Sequence, residues 1–433
     1  MKNLWLLILP FLFLPDLDWI DATAYGEIKV ADYVMVIYLL AIFFAWLKLP
    51  SGSRGISNSG RILLLFLVWT CSVTVSIPFR FGYNEILPQE MITALLKVGK
   101  FLLYTLAGIF TSQVVFRANK VKVFQLSLLV GLSIPTFFFL YYGSPKQYLL
   151  EGGISSYAGS GCSAVALYLA MFFCYFLIQV ISNKYETRLL RNCVALSCFL
   201  MALAVMASFW RGSIVAMICG SFFGLVKSHI KIKYWVGLSF FMAALMILVF
   251  ASEDFQNRLD QTIHPFQYAV NGRVSNVADK YGIDDGSRLQ VWAEEGQRFW
   301  DAPIFGAGFY HRDGLSTLPP YSSHNHFLQM FLETGPIGGF LFILLFYQLW
   351  IDASKFPEHD LALGIAEKSA LVAVIVGSMT ETYLYGGLPI FFTLAIIPPH
   401  SRINRGYQAV SQESISNQFT VAKNETHILS GDY

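Results

Sequence analysis

The chain has 433 residues, of which 55% are hydrophobic, 16% aromatic and only 13% charged. An ordinary soluble domain carries about 25% charged residues, so a soluble enzyme, a disordered protein and a nucleic-acid binder are excluded. The formal net charge of +2 implies no polyanionic partner.

The apolar excess lies in blocks of about 17 to 25 residues, the length that carries a helix across a bilayer core. Strands of an outer-membrane barrel would read instead as short alternating segments. The expectation is an all-α integral membrane protein of about twelve transmembrane helices in a lipid bilayer. Met1-Lys2-Asn3 and the run from Leu4 to Leu14 resemble the start of a signal peptide. Pro15, Asp16 and Asp18 stand where a small-residue cleavage site would lie, so the stretch reads as a retained first span. Apolar runs predict helices at approximately 4–20, 29–47, 62–79, 92–115, 123–142, 159–182, 193–209, 212–226, 235–251, 327–350, 369–384 and 387–399. Residues 1–251 therefore hold nine helices and 252–323 form one long hydrophilic loop. Residues 324–399 hold three more helices, and the Ser-, Asn-, Gln- and Thr-rich stretch 400–433 reads as a disordered cytoplasmic tail.

Positive charge alternates between the connections. Lys48, Arg54 and Arg61 follow the second span, Arg117, Lys120 and Lys122 the fourth, Lys184, Arg188 and Arg191 the sixth, and Lys227, Lys231 and Lys233 the eighth. The positive-inside rule then puts both termini in the cytoplasm and the long loop outside. A loop of ~70 residues is too long for a passive connector. Cys71, Cys162, Cys174, Cys193, Cys198 and Cys219 lie in or beside apolar blocks with no CxxC spacing, and read as small core side chains.

Four features collect at the predicted outer face. In Ser208-Phe-Trp-Arg211-Gly-Ser213 a cation occupies a short external turn, and Gly212 and Ser213 let an anion approach backbone donors at a helix start. The alternative is an Arg snorkelling to headgroups. Arg288, in Gly286-Ser-Arg288-Leu-Gln-Val-Trp292, opens a predicted loop helix with Leu289, Trp292, Gly296 and Phe299 on one side. A small GxG turn follows at Gly306-Ala-Gly308, readable as a tight turn alone. Next, His324-Asn325-His326 precede the tenth span, where His is the side chain best able to exchange protons near neutral pH. Their spacing is not HExxH and no nearby ligand set completes a zinc site. Within that span, Glu333-Thr-Gly335-Pro336-Ile-Gly338-Gly339 combines a predicted kink with a carboxylate that should face the bundle interior. Lys97 and Lys100, three residues apart, share one face of the fourth span and suit an anionic headgroup or a buried carboxylate. Glu381 is read the same way. Asp16 and Asp18 in the first connection are read as loop residues in preference to a metal pair.

This ordered set resembles the bacterial O-antigen ligase and polymerase superfamily: an SxxRG turn, an external loop with Arg and then Trp four on, a GxG turn, HN-x-F-L, then E-x-G-x-x-G. The specific resemblance covers roughly residues 200 to 350. It implies an enzyme that takes a glycan from undecaprenyl pyrophosphate at the periplasmic face and passes it to a sugar hydroxyl. The acceptor is lipid A core for a ligase and another lipid-linked repeat for a polymerase. It also implies that no metal or other cofactor is required. Carried over by position, Arg211 and Arg288 are the arginines that hold pyrophosphate and His324 is the base, with Asn325, His326, Lys97, Lys100 and Glu333 as substrate-binding candidates. Phe209 and Trp210 separate Ser208 from Arg211, unlike the family's Ser-Arg-Gly, and Ala158–Ala164 lacks the family's Asn-containing motif. A lipid or polysaccharide transporter is the rival class, but no repeat and no midplane polar cluster is evident in the sequence. A peptidoglycan polymerase or protein O-oligosaccharyltransferase would differ in its acceptor.

Overall fold

The computed structural model describes residues 3–13, 15–17, 30–51, 54, 56–77, 88–142, 154–157, 162–185, 187–208, 210–228, 300, 303–308, 325–356, 361–380 and 388–396. The predicted ninth span, most of the 252–323 loop, Arg288, His324, Glu381 and the tail lie outside the described residues.

The first element is shorter than expected. Helix α1 (Leu4–Ile8) tightens into a 3-10 turn at Leu9–Phe13, where Pro10 removes a helical donor. The chain then forms β1 (Pro15–Leu17), which pairs antiparallel with β2 (Ile154–Tyr157), Asp16 standing opposite Ser156. Among the described residues this small ribbon is the one non-helical pairing in an otherwise all-helical fold. The other helices are α2 (Val30–Leu47), α3 (Asn58–Val75), α4 (Pro88–Arg117), α5 (Val121–Tyr142), α6 (Cys162–Ile181), α7 (Arg188–Ala207), α8 (Arg211–Lys227), α9 (His326–Asp352), α10 (Leu361–Ser378) and α11 (Leu388–Ala395). Among the described residues, six helices are long and apolar enough to cross a membrane, with four shorter apolar ones beside them. The protein is a multi-helix membrane protein.

Ser57 and Thr187 open α3 and α7 as N-caps, accepting from Gly60 N at 3.1 Å and Leu190 N at 3.2 Å. Predicted span eleven begins earlier than the apolar run implies. Glu367 and Lys368 interrupt that run, yet α10 starts at Leu361 and buries Glu367 fully.

At the centre, α6 packs against both α8 and α10, which also pack on each other. Every residue from 165 to 176 is buried, including Tyr168, Phe172, Phe173 and Phe176. A helix apolar all round belongs in such a position. Small residues bring its neighbours close: a Cβ at Gly224 of α8 would meet Ile178 at 2.5 Å, and one at Gly377 of α10 would meet Leu167 at 2.3 Å. Around this trio, α7 lies on α6 and α5, α9 lies on α3, and α4 joins α2 and α11. Phe44, Val68, Phe137, Leu189 and Phe340 point outward, an apolar exterior suited to hydrocarbon.

Candidate functional site

The site is organised by a break in α9. At Gly335 the backbone takes φ 68° and ψ −177°, and Pro336 follows. The expected kink is in fact a reversal. Phe327 lies 5.4 Å from Phe342 and 5.5 Å from Phe346 between ring centroids, and Phe331 lies 5.5 Å from Phe340. A straight helix would separate residues 327 and 346 by about 28 Å. The two arms, 326–334 and 336–352, therefore fold against each other as a helical hairpin. Gly339 allows it, since a Cβ there would meet the Phe331 ring at 2.5 Å. The second arm is about 25 Å long at the α-helical rise, and the first arm runs back beside it.

A break of this kind strands carbonyls. The oxygen of Leu332 would ordinarily bond the nitrogen of residue 336, but proline has no N–H. Those of Glu333 and Thr334 lose their partners at the turn. All three are met from outside the helix. Ala307 N donates to Leu332 O at 2.8 Å and Gly308 N to Glu333 O at 2.9 Å, while Trp69 Nε1 of α3 donates to Thr334 O at 2.7 Å. The GxG turn, readable from sequence as a tight turn only, is thus a docking element.

Along the first arm, His326, Gln329 and Glu333 fall at spacings of three and four, on one face. They are 2%, 0% and 1% exposed, so three polar side chains are carried into the bundle. Gln329 Nε2 donates to Glu333 Oε1 at 2.6 Å. The His326 ring sits 5.2 Å from Phe342, abreast of the second arm and not at its outer end. Asn325 caps the arm, its Oδ1 accepting from Leu328 N at 3.1 Å, which fixes the residue directly after His324.

Arg211 opens α8, whose N-cap Trp210 makes no side-chain capping bond. The Arg211 side chain lies outside the described residues. Ser208, 1% exposed, ends α7 and donates through Oγ to Val205 O at 2.6 Å, so its hydroxyl serves the turn. Ser213 Oγ is buried at the start of α8 and, among the described residues, has no hydrogen-bond partner; the same holds for Trp210 Nε1. Gly212 meets Thr380 at the end of α10, where a Cβ would come within 2.2 Å of Oγ1.

Lys100 has a defined partner. Its Nζ lies 2.8 Å from Asp32 Oδ2 in the first turn of α2, and Tyr104 Oη donates to Asp32 Oδ1 at 2.8 Å. The buried-carboxylate alternative is therefore the one realised for Lys100. Phe101, next in sequence, contacts Phe66, and Phe66 contacts Phe342 beside His326. Lys97 stands one turn earlier, half-buried. Among the described residues no group of three or more His, Cys, Asp or Glu side chains could share a metal ion. Asp16 is a strand residue of the ribbon.

Sequence reasoning missed Gln329, Trp69 and Asp32. Gln329 could have been found from its spacing between His326 and Glu333. Asp32 was legible as a lone acid at the head of an apolar helix, while Trp69 carried no signal beyond being aromatic.

Residues 196–343 match the O-antigen ligase family model. The match runs from within α7 through the Arg211 turn and the long loop into the second arm of α9, so the first arm, the reversal at Gly335 and the docking turn fall inside it. It supports the O-antigen ligase and polymerase superfamily and a glycosyltransferase-like activity for this membrane protein. No curated protein matches the chain.

Proposed function

We propose that the protein is an inner-membrane glycosyltransferase with both termini cytoplasmic, moving a glycan from undecaprenyl pyrophosphate to a sugar hydroxyl at the periplasmic face. The observation that carries this reading is the buried polar face His326–Gln329–Glu333 on the first arm of α9, inside the stretch that matches O-antigen ligase. Polar groups brought into a bilayer-embedded bundle are costly unless they meet partners, water or substrate.

In the proposed reaction the acceptor oxygen attacks the anomeric carbon, and the bond from that carbon to pyrophosphate breaks. His324 takes the acceptor's proton. Arg288 and Arg211 neutralise the charge that develops on the departing lipid pyrophosphate, a task for which guanidinium forks need no metal. Support at Arg211 comes from the start of α8, where the buried Ser213 hydroxyl and the first backbone N–H groups suit an anion. Lys97 and Glu333 are assigned to substrate binding with His326. Asn325 contributes by capping the arm.

The test is transfer from a lipid-linked glycan by purified protein in liposomes. His324→Ala should lower turnover by about 10²–10⁴-fold at normal abundance, the usual weight of a general base. Arg288→Lys should fail comparably, because an ammonium lacks the bidentate fork. Wild-type turnover in either variant removes that residue from its role, and transbilayer movement of lipid without transfer returns the transporter reading. A deletion strain separates ligase from polymerase. Bare lipid A core indicates the ligase, core bearing one repeat indicates the polymerase, and unaltered lipopolysaccharide indicates a capsule or exopolysaccharide.

A further inference from the structure

We propose that Trp69 and Gly306 are positioning residues for the transfer reaction, acting as a clamp that registers the long loop and helix α3 on the tip of the α9 hairpin. The inference rests on the function proposed above and deepens it.

The argument begins with the three carbonyls that the hairpin turn frees at residues 332–334. Each has a dedicated donor, two from the loop turn and one from α3. The shapes match as closely as the hydrogen bonds. Gly306 has φ 68°, and a Cβ there would lie 2.5 Å from the carbonyl carbon of Glu333. Reciprocally, a Cβ at Gly335 would lie 2.2 Å from Ile304 O. Gly306 is fitted against the backbone of Glu333 and Gly335, Gly335 against that of Ile304 and Phe305, and neither position admits a side chain without displacement. Trp69 closes the third side, its indole stacked on Phe305 at 5.9 Å and 23° while its N–H holds Thr334.

The clamp has a consequence for Glu333. Its carbonyl is held by Gly308 of the loop turn and its carboxylate by Gln329 one turn earlier on its own arm, so both ends of the residue are fixed. The loop in turn leaves the clamp at Gly308, whose next landmark in sequence is His324, and reaches it from Arg288. A joint at 304–308 therefore ties the described turn of the loop to the arm that carries the polar face. Reaction geometry tolerates little error, and a displacement of about 1 Å is worth on the order of 10²-fold in rate.

The experiment compares wild type with Trp69→Phe and Gly306→Ala in liposomes. Trp69→Phe keeps the ring stack and loses the donor to Thr334 O, so it should fold. Its kcat should fall about tenfold, the scale of one lost hydrogen bond to a buried acceptor, with donor KM within about twofold. Gly306→Ala should lose more. The independent readout is the interspin distance distribution between nitroxide labels at the outward-facing Ile304 and Leu344, which should be narrow in wild type and broadened in both variants. Unchanged kcat in Trp69→Phe, or a distribution as narrow as wild type in both variants, overturns the proposal. If wild type transfers no glycan, the proposed function fails, and an unbroadened distribution in the variants then rejects the clamp separately.

Discussion

Helix α6 and the polar face of the first arm of α9 are both buried, and for opposite reasons. From Val165 to Phe176, α6 offers side chains that fill space, and its neighbours meet it through glycines and small residues. The first arm carries His326, Gln329 and Glu333 inward, and every exceptional backbone feature of the region is spent on it: the reversal at Gly335, the asparagine cap and the borrowed donors from loop and α3. Apolar burial needs shape alone. Polar burial needs addressed partners, and those partners tie distant segments of the chain to one place.

That contrast can be broken at either end. The largest effect is expected at the hairpin. In Gly335→Ala the new Cβ overlaps Ile304 O in a backbone conformation unsuited to alanine, and folded protein by fluorescence-detected size exclusion should fall below about a tenth of wild type. Next, Phe172→Ala in α6 should destabilise by about 3–5 kcal/mol in thermal unfolding, by cavity formation, yet leave donor KM and kcat of the surviving protein unchanged. Gln329→Ala should cost less stability, about 1–3 kcal/mol, while lowering kcat by at least about tenfold, because it removes the donor to Glu333 Oε1. If Phe172→Ala altered kcat, or Gln329→Ala altered only melting, the division between filler and site would be wrong.

Much of the bundle was legible. The helices α2, α3, α5 and α7 follow from apolar length, because a helix in hydrocarbon satisfies its own backbone whatever its neighbours do. Errors arose where tertiary partners decide. Glu367 and Lys368 interrupted an apolar run, and nothing local shows that Glu367 is buried against other helices. Gly335-Pro336 announced a break, but the direction of the chain beyond it depends on Gly339 receiving Phe331 and on donors some 265 residues away in Trp69. Lys100 was visible as a buried cation, whereas its partner Asp32 lies on another helix. In the site, His326 and Glu333 could be singled out by polarity within an apolar block. Their common face, and the cap that Asn325 provides, needed the arm's real start.

The centrality of α6 also constrains how the protein is made. It leaves the ribosome by residue 181, but α10, one of the two helices that enclose it, is not complete until residue 378. In the interval its whole circumference can rest against lipid tails, which are as apolar as the helices that later replace them. The first arm of α9 has no such waiting state, since His326, Gln329 and Glu333 are poor guests in hydrocarbon. It emerges when α3 and the loop turn already exist to receive it. Assembly can thus proceed from a patient apolar axis to a polar arm that inserts only once its partners are in place.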